Sequence, residues 1–373
     1  MKIAVDAFPL ASPTPSGIPN YVRRLLRALL ELDRENRYYL YCRNPIEFPE
    51  RDNVVLRTSP RATEGGTSYG NTAWLFTEGV RLMGRDGIDV LWGTRHMLPP
   101  FVPSRIRKVL TVHDLVWRHY PETMEGYNRL VMRLVAGRSI RAADHIIAVS
   151  RSTARAVREE FRVPEERITV IHHAAGDYAP LDRADSAAYI SWKYGTKDNY
   201  VLTVSTVEPR KNLAMLLRTF SRLRGEGLQL VVAGAPGWKT SSVHEEYERL
   251  GLTEAEVRFL GYVPEGDMNR LYSGAALFVF PSVYEGFGLP PLEAMASGAP
   301  VLASGASSIP EVVGEAGVLL DPLDEEAWAG AISKMMSEPA TRAEMSEKSL
   351  RRAAMFSWEK AARETLEVFR RFG

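Results

Sequence analysis

The chain has 373 residues, 45% apolar and 25% charged, a normal globular composition with length for two hydrophobic cores. Its net charge of +1 gives nucleic-acid binding no support, but residues 1–178 carry +6 and the remainder −5, a modest pointer to an anionic acceptor or membrane surface beside the first half, with scattered solvated arginine as the plain alternative. The single cysteine, Cys42, excludes an intrachain disulfide, and no apolar stretch approaches the roughly 18 residues that span a bilayer, so a soluble cytoplasmic protein with at most peripheral membrane contact is expected.

Met1–Val5 reads as the start of a strand rather than a signal peptide. Buried strands are expected at Ile3–Phe8, Tyr38–Cys42, Val54–Arg57, Val90–Trp92, Val109–Val112, His145–Val149 and Ile168–Ile171. Between them, Tyr21, Leu25, Leu29 and Leu32 recur at helical spacing over Asn20–Leu32, and Ser150 or Ser152 can cap a helix through Ala154, Val157 and Phe161. Residues 61–70 have no periodicity and read as a loop of the kind that often overlies a cleft. A polar stretch, Asp177 to about Asn199, holds Pro180, Asp182, Asp185 and Gly195, and the interdomain connection is placed near its start. The pattern then restarts. Strands are expected at Tyr200–Ser205, Leu228–Ala233, Val257–Leu260, Leu277–Pro281, Pro300–Ala303 and Val318–Leu320, and helices at Asn212–Leu223, His244–Leu250, Gly266–Ser273, Pro290–Ser297, Glu325–Ser337 and Ser357–Phe372. Alternation of this kind predicts two βαβ domains with parallel sheets, whose ligands bind beyond the carboxyl ends of the strands.

The residues just after each strand are therefore the candidates. After Leu277–Pro281 comes Tyr284-Glu285-Gly286-Phe287-Gly288-Leu289-Pro290-Pro291-Leu292-Glu293, a glycine-rich turn into a helix with proline at its first positions. Gly286 and Gly288 let main-chain N–H groups approach a ligand, and a helix N-terminus favours an anion. Glu285 stands before the turn; Glu293, about one helical turn in, can reach a hydroxylated group beside a phosphate. Two carboxylates and a phosphate position point to a diphosphate with a sugar on each side, the plain alternative being an ordinary helix start. After Tyr200–Ser205, Glu208-Pro209-Arg210-Lys211-Asn212 sets two cations at a strand-to-helix turn, with Asn212 placed to cap the helix. Such a pair would stabilise a leaving diphosphate; alone it is also consistent with a surface pair in a loop. His113, in Thr111-Val112-His113-Asp114-Leu115, stands where the chain leaves the core, and a lone histidine there is more often structural than catalytic. His172 and His173, taken as strand neighbours, face opposite sides. No His/Cys cluster has metal-ligand spacing, and there is no Asp-x-Asp pair, so no metal site is expected.

The segment Glu285-Gly-Phe-Gly-Leu-Pro-Pro-Leu-Glu293-Ala-Met-Ala resembles the Glu-x7-Glu signature of the family-4 retaining glycosyltransferases of GT-B fold, and the resemblance extends over nearly the whole chain. It implies that Glu285 contacts donor-sugar hydroxyls, that Phe287, Gly288 and Leu289 present amides to sugar and phosphates, that Glu293 binds the ribose, and that Arg210 and Lys211 clamp the diphosphate. It implies that His113 lies close to the reaction centre. It gives Pro15-Ser16-Gly17-Ile18 the place of a glycine-rich loop near phosphates or acceptor, although many members have two adjacent glycines where this chain has Gly17 alone. Gly261-Tyr262-Val263 resembles the base-binding edge, and Gly305–Glu311 a loop lining the donor pocket. The implied fold is α/β, GT-B: two Rossmann-like domains facing across a cleft, 1–178 joined by roughly 357–373, and 179–356, with the last helix crossing back. The implied reaction is metal-independent hexosyl transfer with retention, in which the leaving phosphate takes the acceptor proton. The His113-Asp114-Leu115 and Gly-Phe-Gly-Leu-Pro-Pro segments look most like the mannosyltransferase-like branch and imply GDP-mannose as donor, with a UDP-hexose as the alternative; no separate cofactor is expected. The acceptor would be a glycan or lipid-linked glycan lying near Gly17, His96 and 61–70. Two other readings remain open at this point, a sugar-nucleotide 2-epimerase of GT-B-like fold and a non-catalytic sugar-nucleotide-binding protein.

Overall fold

A computed structural model describes residues 1–12, 17–59, 68–121, 132–237 and 241–373. Short apolar runs form thirteen strands among these residues, and their alternation with helices makes every sheet pairing parallel. Apart from a short stretch around residue 120, one compact unit takes Met1–His173 with Trp358–Gly373, and the other takes Ala174–Ser357.

The first unit holds β1 (Lys2–Asp6), β2 (Arg37–Tyr41), β3 (Val54–Arg57), β4 (Val90–Gly93), β5 (Arg107–Val112), β6 (His145–Ala148) and β7 (Ile168–Val170), in the order β3-β2-β1-β4-β5-β6-β7. The strand expected to reach Phe8 stops at Asp6. Pro9, which lacks an N–H to pair, lies instead in a 3-10 turn over Phe8–Ala11. The helix Ile18–Leu32 buries Tyr21, Val22, Leu25, Leu26, Leu29 and Leu30, an apolar stripe at helical spacing. The last helix, Trp358–Arg370, supplies Ala361, Ala362, Leu366, Val368 and Phe369 to the same core, where the Phe369 ring meets Trp92 edge-on at 5.8 Å. Ser150, rather than Ser152, caps the helix Arg151–Phe161 by accepting from the Thr153 N–H at 3.0 Å.

The second unit holds β8 (Val201–Val204), β9 (Leu230–Ala233), β10 (Val257–Gly261), β11 (Leu277–Phe280), β12 (Val301–Ser304) and β13 (Val318–Leu320), in the order β10-β9-β8-β11-β12-β13. This is the doubly wound order, and the first six strands of the other sheet share it. The direction of winding therefore reverses between β1 and β4 in one unit and between β8 and β11 in the other.

Two segments differ from expectation, and the unit boundary falls a few residues ahead of where the interdomain connection was placed. The polar stretch 177–199 contains a twelve-residue helix, Arg183–Tyr194, capped by the Asp182 carboxylate and closed by Gly195. Its buried face is Ser186, Ala187 and Ile190, too small and polar to register as an apolar stripe. The chain passes between units at His173–Ala174, ahead of that stretch. Of the loop placed at 61–70, residues 61–67 lie outside the described residues, while Ser68 begins a helix that runs to Trp74.

Candidate active site

Both reversal points carry polar clusters, and they differ in kind. In the second unit, β8 leads through Glu208 into a 3-10 turn, Pro209–Lys211, and β11 leads through Ser282 to Glu285. The Glu285 carboxylate accepts from Lys211 Nζ at 2.6 Å, from Arg210 at 2.9 Å and from the Ser282 hydroxyl at 2.7 Å. Arg210 also donates to Glu208 at 2.5 Å and to the Tyr284 carbonyl at 2.8 Å. The Arg210 carbonyl in turn accepts from the Val283 N–H, so the two strand exits are tied by main chain as well as by charge.

Arg210 and Lys211 are thus no solvated surface pair: their side chains are only 15% and 11% exposed. Burial opposes ionisation of Glu285, but the adjacent Lys211 and Arg210 charges, with the hydrogen bonds from Lys211 and Ser282, overcome it and hold the carboxyl down at about 2. Burial likewise pushes the Lys211 ammonium below its ordinary value, against the pull of Glu285. Two cations and two carboxylates leave the cluster near neutrality, with positive charge fixed in place before any anion arrives. Asn212 occupies the N-cap of the following helix, but its side chain makes no capping hydrogen bond. It takes a left-handed backbone (φ 59°), and its side-chain amide donates to the carbonyls of Pro281 at 3.3 Å and Pro322 at 2.6 Å.

The turn after Glu285 is held by two hydroxyls. The single Ser308 hydroxyl proton is shared between the carbonyls of Glu285 at 2.9 Å and Phe287 at 2.8 Å, and Ser307 donates to the Glu285 carbonyl at 2.6 Å. Gly288 has φ 104°, a backbone that side-chain-bearing residues rarely adopt, and the helix Leu289–Ala296 starts from it. Pro290 and Pro291 carry no N–H, so an anion at this helix start must be met by amides ahead of them, from the turn and Leu289. Glu293 projects from the helix, where its carboxylate accepts from the Tyr272 hydroxyl at 2.9 Å. Phe287 is buried and meets Phe356 edge-on at 6.0 Å. Val263 is buried two residues beyond β10, whose last residue, Gly261, also has a left-handed backbone (φ 66°).

Of the expected site residues, His113 and Gly17 belong to the first unit. His113 follows β5, and its Nε2 lies 2.9 Å from the Thr94 carbonyl. Burial first, then the neighbouring His96, pushes its pKa well down, so the ring is neutral. A carbonyl only accepts, so Nε2 carries the proton and Nδ1 the lone pair. Tyr21 meets this ring edge-on at 4.8 Å, and His96 lies at 5.3 Å and His173 at 5.8 Å. His172 and His173 lie beyond β7 rather than on it, and His173 is buried against Tyr21 and Trp358. Asp114 accepts from the Val116 N–H at 3.1 Å, which fixes the turn after His113. Gly17 stands at the start of the helix Ile18–Leu32 with φ 56° and ψ −119°, a conformation strained for any side chain.

Glu208 and Ser282 were not singled out by sequence reasoning. Glu208 is visible inside the motif that supplies Arg210 and Lys211; Ser282 has no sequence signal beyond its place after a strand. Among the described residues, no group of three or more His, Cys, Asp or Glu side chains is arranged to hold a metal, and no helix is long and apolar enough to cross a membrane.

Two conserved domain descriptions match in tandem, Glycosyltransferase Family 4 over residues 15–175 and Glycosyl transferases group 1 over residues 190–352. The chain is 34% identical to the O-antigen chain mannosyltransferase B of Escherichia coli, over 72% of each protein. It is 27% identical to the O-antigen chain mannosyltransferase RfbU of Salmonella typhimurium, over 73% of this chain and 71% of that one. Sucrose-phosphate synthase from Thermosynechococcus elongatus superposes with a TM-score of 0.77 at 20% identity, covering 100% of this chain and 98% of that one. The protein is a nucleotide-sugar-dependent hexosyltransferase of GT-B fold. It belongs to glycosyltransferase family 4, in the mannosyltransferase-like branch.

Proposed function

We propose that this protein is a retaining mannosyltransferase that moves mannose from GDP-mannose to a growing glycan of the O-antigen kind, without a metal ion. The observation that carries the transferase chemistry is the Glu285–Lys211–Arg210 cluster, two desolvated cations locked at adjoining strand exits. The choice of mannose rests on the 34% identity to an O-antigen chain mannosyltransferase. In this reading the donor diphosphate lies against Lys211, Arg210 and the amides of Phe287, Gly288 and Leu289. Charge that develops on the leaving phosphate meets cations that need no reorganisation, the condition under which electrostatic stabilisation is largest. Glu285 orients both cations and hydrogen-bonds sugar hydroxyls, Glu293 takes the ribose, and the main chain at Val263 borders the base. His113, neutral and with its proton committed to Thr94, is a hydroxyl acceptor at Nδ1 rather than an acid, which leaves the phosphate to take the acceptor proton on the face from which it departs.

The test is a panel of sugar nucleotides with and without a mannose-ended glycan. Acceptor-dependent release of GDP from GDP-mannose is expected, with an α-linked product by NMR, and most of the activity should survive EDTA. Use of a UDP-hexose instead would overturn the donor, an isomerised sugar nucleotide would make the protein an epimerase, and activity that EDTA abolishes and Mg²⁺ restores would overturn the metal-free mechanism.

A further inference from the structure

The helix Arg183–Tyr194 of the second unit inverts the usual placement of side chains. It packs against the helix Glu265–Gly274 with Ser186, Ala187 and Ile190 buried, while its largest apolar residue, Trp192, faces out. At 80% exposure Trp192 is the most exposed large apolar side chain among the described residues. An indole left in water forgoes the burial that stabilises a core, so the fold gives no reason for tryptophan at this position. The ring is nevertheless held. Tyr189, one turn earlier, meets it at 5.9 Å with the ring planes 50° apart. Tyr189 is itself fixed at its hydroxyl, which donates to the buried Asp267 carboxylate at 3.0 Å, and at its ring, over which the Arg270 guanidinium lies at 5.0 Å. Ala188 and Asp185, one and two turns before Trp192, share its exposed face. Ala188 is too short to cover the indole, and Asp185 and Arg270 add an exposed carboxylate and an exposed guanidinium beside the aromatic pair.

The four charges here balance: Lys193 is paired with Asp267 at 2.6 Å, and Asp185 offsets Arg270. Nucleic acid or an anionic lipid surface calls for net positive charge, which these residues do not supply. An uncharged pyranose matches them on every count. Its C–H face can lie on the indole, and its hydroxyls both donate and accept, which a guanidinium and a carboxylate answer. We propose that Trp192, flanked by Asp185 and Arg270, is a platform for an uncharged glycan chain, separate from the residues assigned to the donor. One sugar unit stacks on Trp192, and Tyr189 holds the indole ready, so little side-chain freedom is lost on binding. A long chain held there stays at high effective concentration between transfers. The choice of mannan as that chain rests on the mannosyltransferase reading above; the platform itself does not.

Affinity electrophoresis through gels that contain soluble α-mannan or an α-glucan tests this on the whole protein. Mannan should retard the wild type, Trp192→Ala should raise the Kd at least about tenfold, and Trp192→Phe should recover part of the loss. Tm should be unchanged, because the side chain removed is exposed. At saturating donor, Trp192→Ala should raise the KM for long mannan and leave kcat and the KM for methyl α-mannopyranoside as they are. Mannan binding that survives Trp192→Ala overturns the proposal, and so does displacement of bound mannan by GDP alone, which would place the chain at the donor site. Retardation by the glucan and not by mannan, lost in Trp192→Ala, upholds the platform and overturns the mannose reading instead. A wild type that neither gel retards overturns the platform. Loss of dimerisation, or of adhesion to anionic vesicles, in Trp192→Ala with glycan binding intact would assign this face to a second copy of the chain or to a membrane, and the glycan platform would be wrong.

Discussion

The two sheets wind in the same order and place their polar residues at the same topological position, yet they dress it in opposite ways. At the β8/β11 reversal the side chains are charged and paired: Glu208, Arg210, Lys211 and Glu285. At the β1/β4 reversal and the neighbouring β5 exit they are mainly aromatic and neutral: Tyr21, His96, His113 and His173, with Asp6 and Arg95 cancelling each other. In the proposed reading the fold sets where each unit binds, and the residues at the strand exits set what each binds. A charged, preorganised cluster suits a diphosphate that must leave with its electrons. A neutral cluster of hydrogen-bonding rings suits a sugar that arrives uncharged.

The sharpest way to break this contrast is to remove a cation. Lys211→Ala is expected to lower kcat by at least about 10²-fold, the scale of losing one preorganised donor to a developing anion. Glu285 keeps Arg210 and Ser282, so the variant should fold, with a loss of Tm because a buried carboxylate has lost one partner. The same substitution should leave binding of an isolated acceptor sugar unchanged. Wild-type turnover in a folded Lys211→Ala protein would remove the cation from the mechanism.

Much of this contrast was legible before any coordinates, and the reasons differ between the units. The βαβ repeat shows because buried parallel strands are continuous apolar runs and the main helices, Ile18–Leu32 and Leu213–Arg222, have full apolar stripes. Arg183–Tyr194 and Pro339–Ala353 were missed because they bury little beyond serine, alanine and one isoleucine. Residues 284–293 announce themselves by a dense motif. The pairing of Glu285 with Lys211 and Arg210 does not, since it joins positions far apart in sequence that come together only when β8 and β11 lie side by side. The histidine cluster is less legible still. Tyr21, His96, His113 and His173 come from four separate strand exits or helix starts, and only the family resemblance, not a local signal, singles out His113 and His96.

A smaller effect separates nucleotide affinity from chemistry within the charged unit. Glu293 is fixed by the Tyr272 hydroxyl on the helix that follows the turn, outside the Glu285 ion-pair cluster. Glu293→Gln should weaken both GDP-mannose and free GDP by roughly ten- to a hundredfold, the range for a hydrogen bond to an ionised group, while kcat at saturating donor changes little. Glu285→Gln should do the reverse and reduce kcat. Calorimetric titration of free GDP reads the first directly, and unchanged affinity in Glu293→Gln would show that its carboxylate does not hold the ribose.

The last and smallest expected effect is in the pH dependence of stability, where the two clusters should lose ground in different windows. Glu285 has a folded-state pKa depressed from 4.5 to about 2, so the unfolded chain binds its proton first; the stability it contributes is complete above the unfolded value and is lost as pH falls from about 4.5 through 2. His113 is depressed from 6.5 to about 3 by burial and by His96, and here too the unfolded chain takes the proton first, but the loss begins near pH 6.5. One such histidine costs on the order of 1 kcal/mol by pH 5.5, where Glu285 has lost almost nothing. Mild acid should therefore weaken the first unit before the second. Hydrogen exchange at pH 5.5 against pH 7.5, corrected for the intrinsic rate, should show reduced protection at β4 and β5 with protection at β8 and β11 retained. His113→Asn should flatten that difference. Unchanged protection at β4 and β5 at pH 5.5 would mean that the histidines are protonated in the folded chain, and the neutral character assigned to that cluster would be wrong.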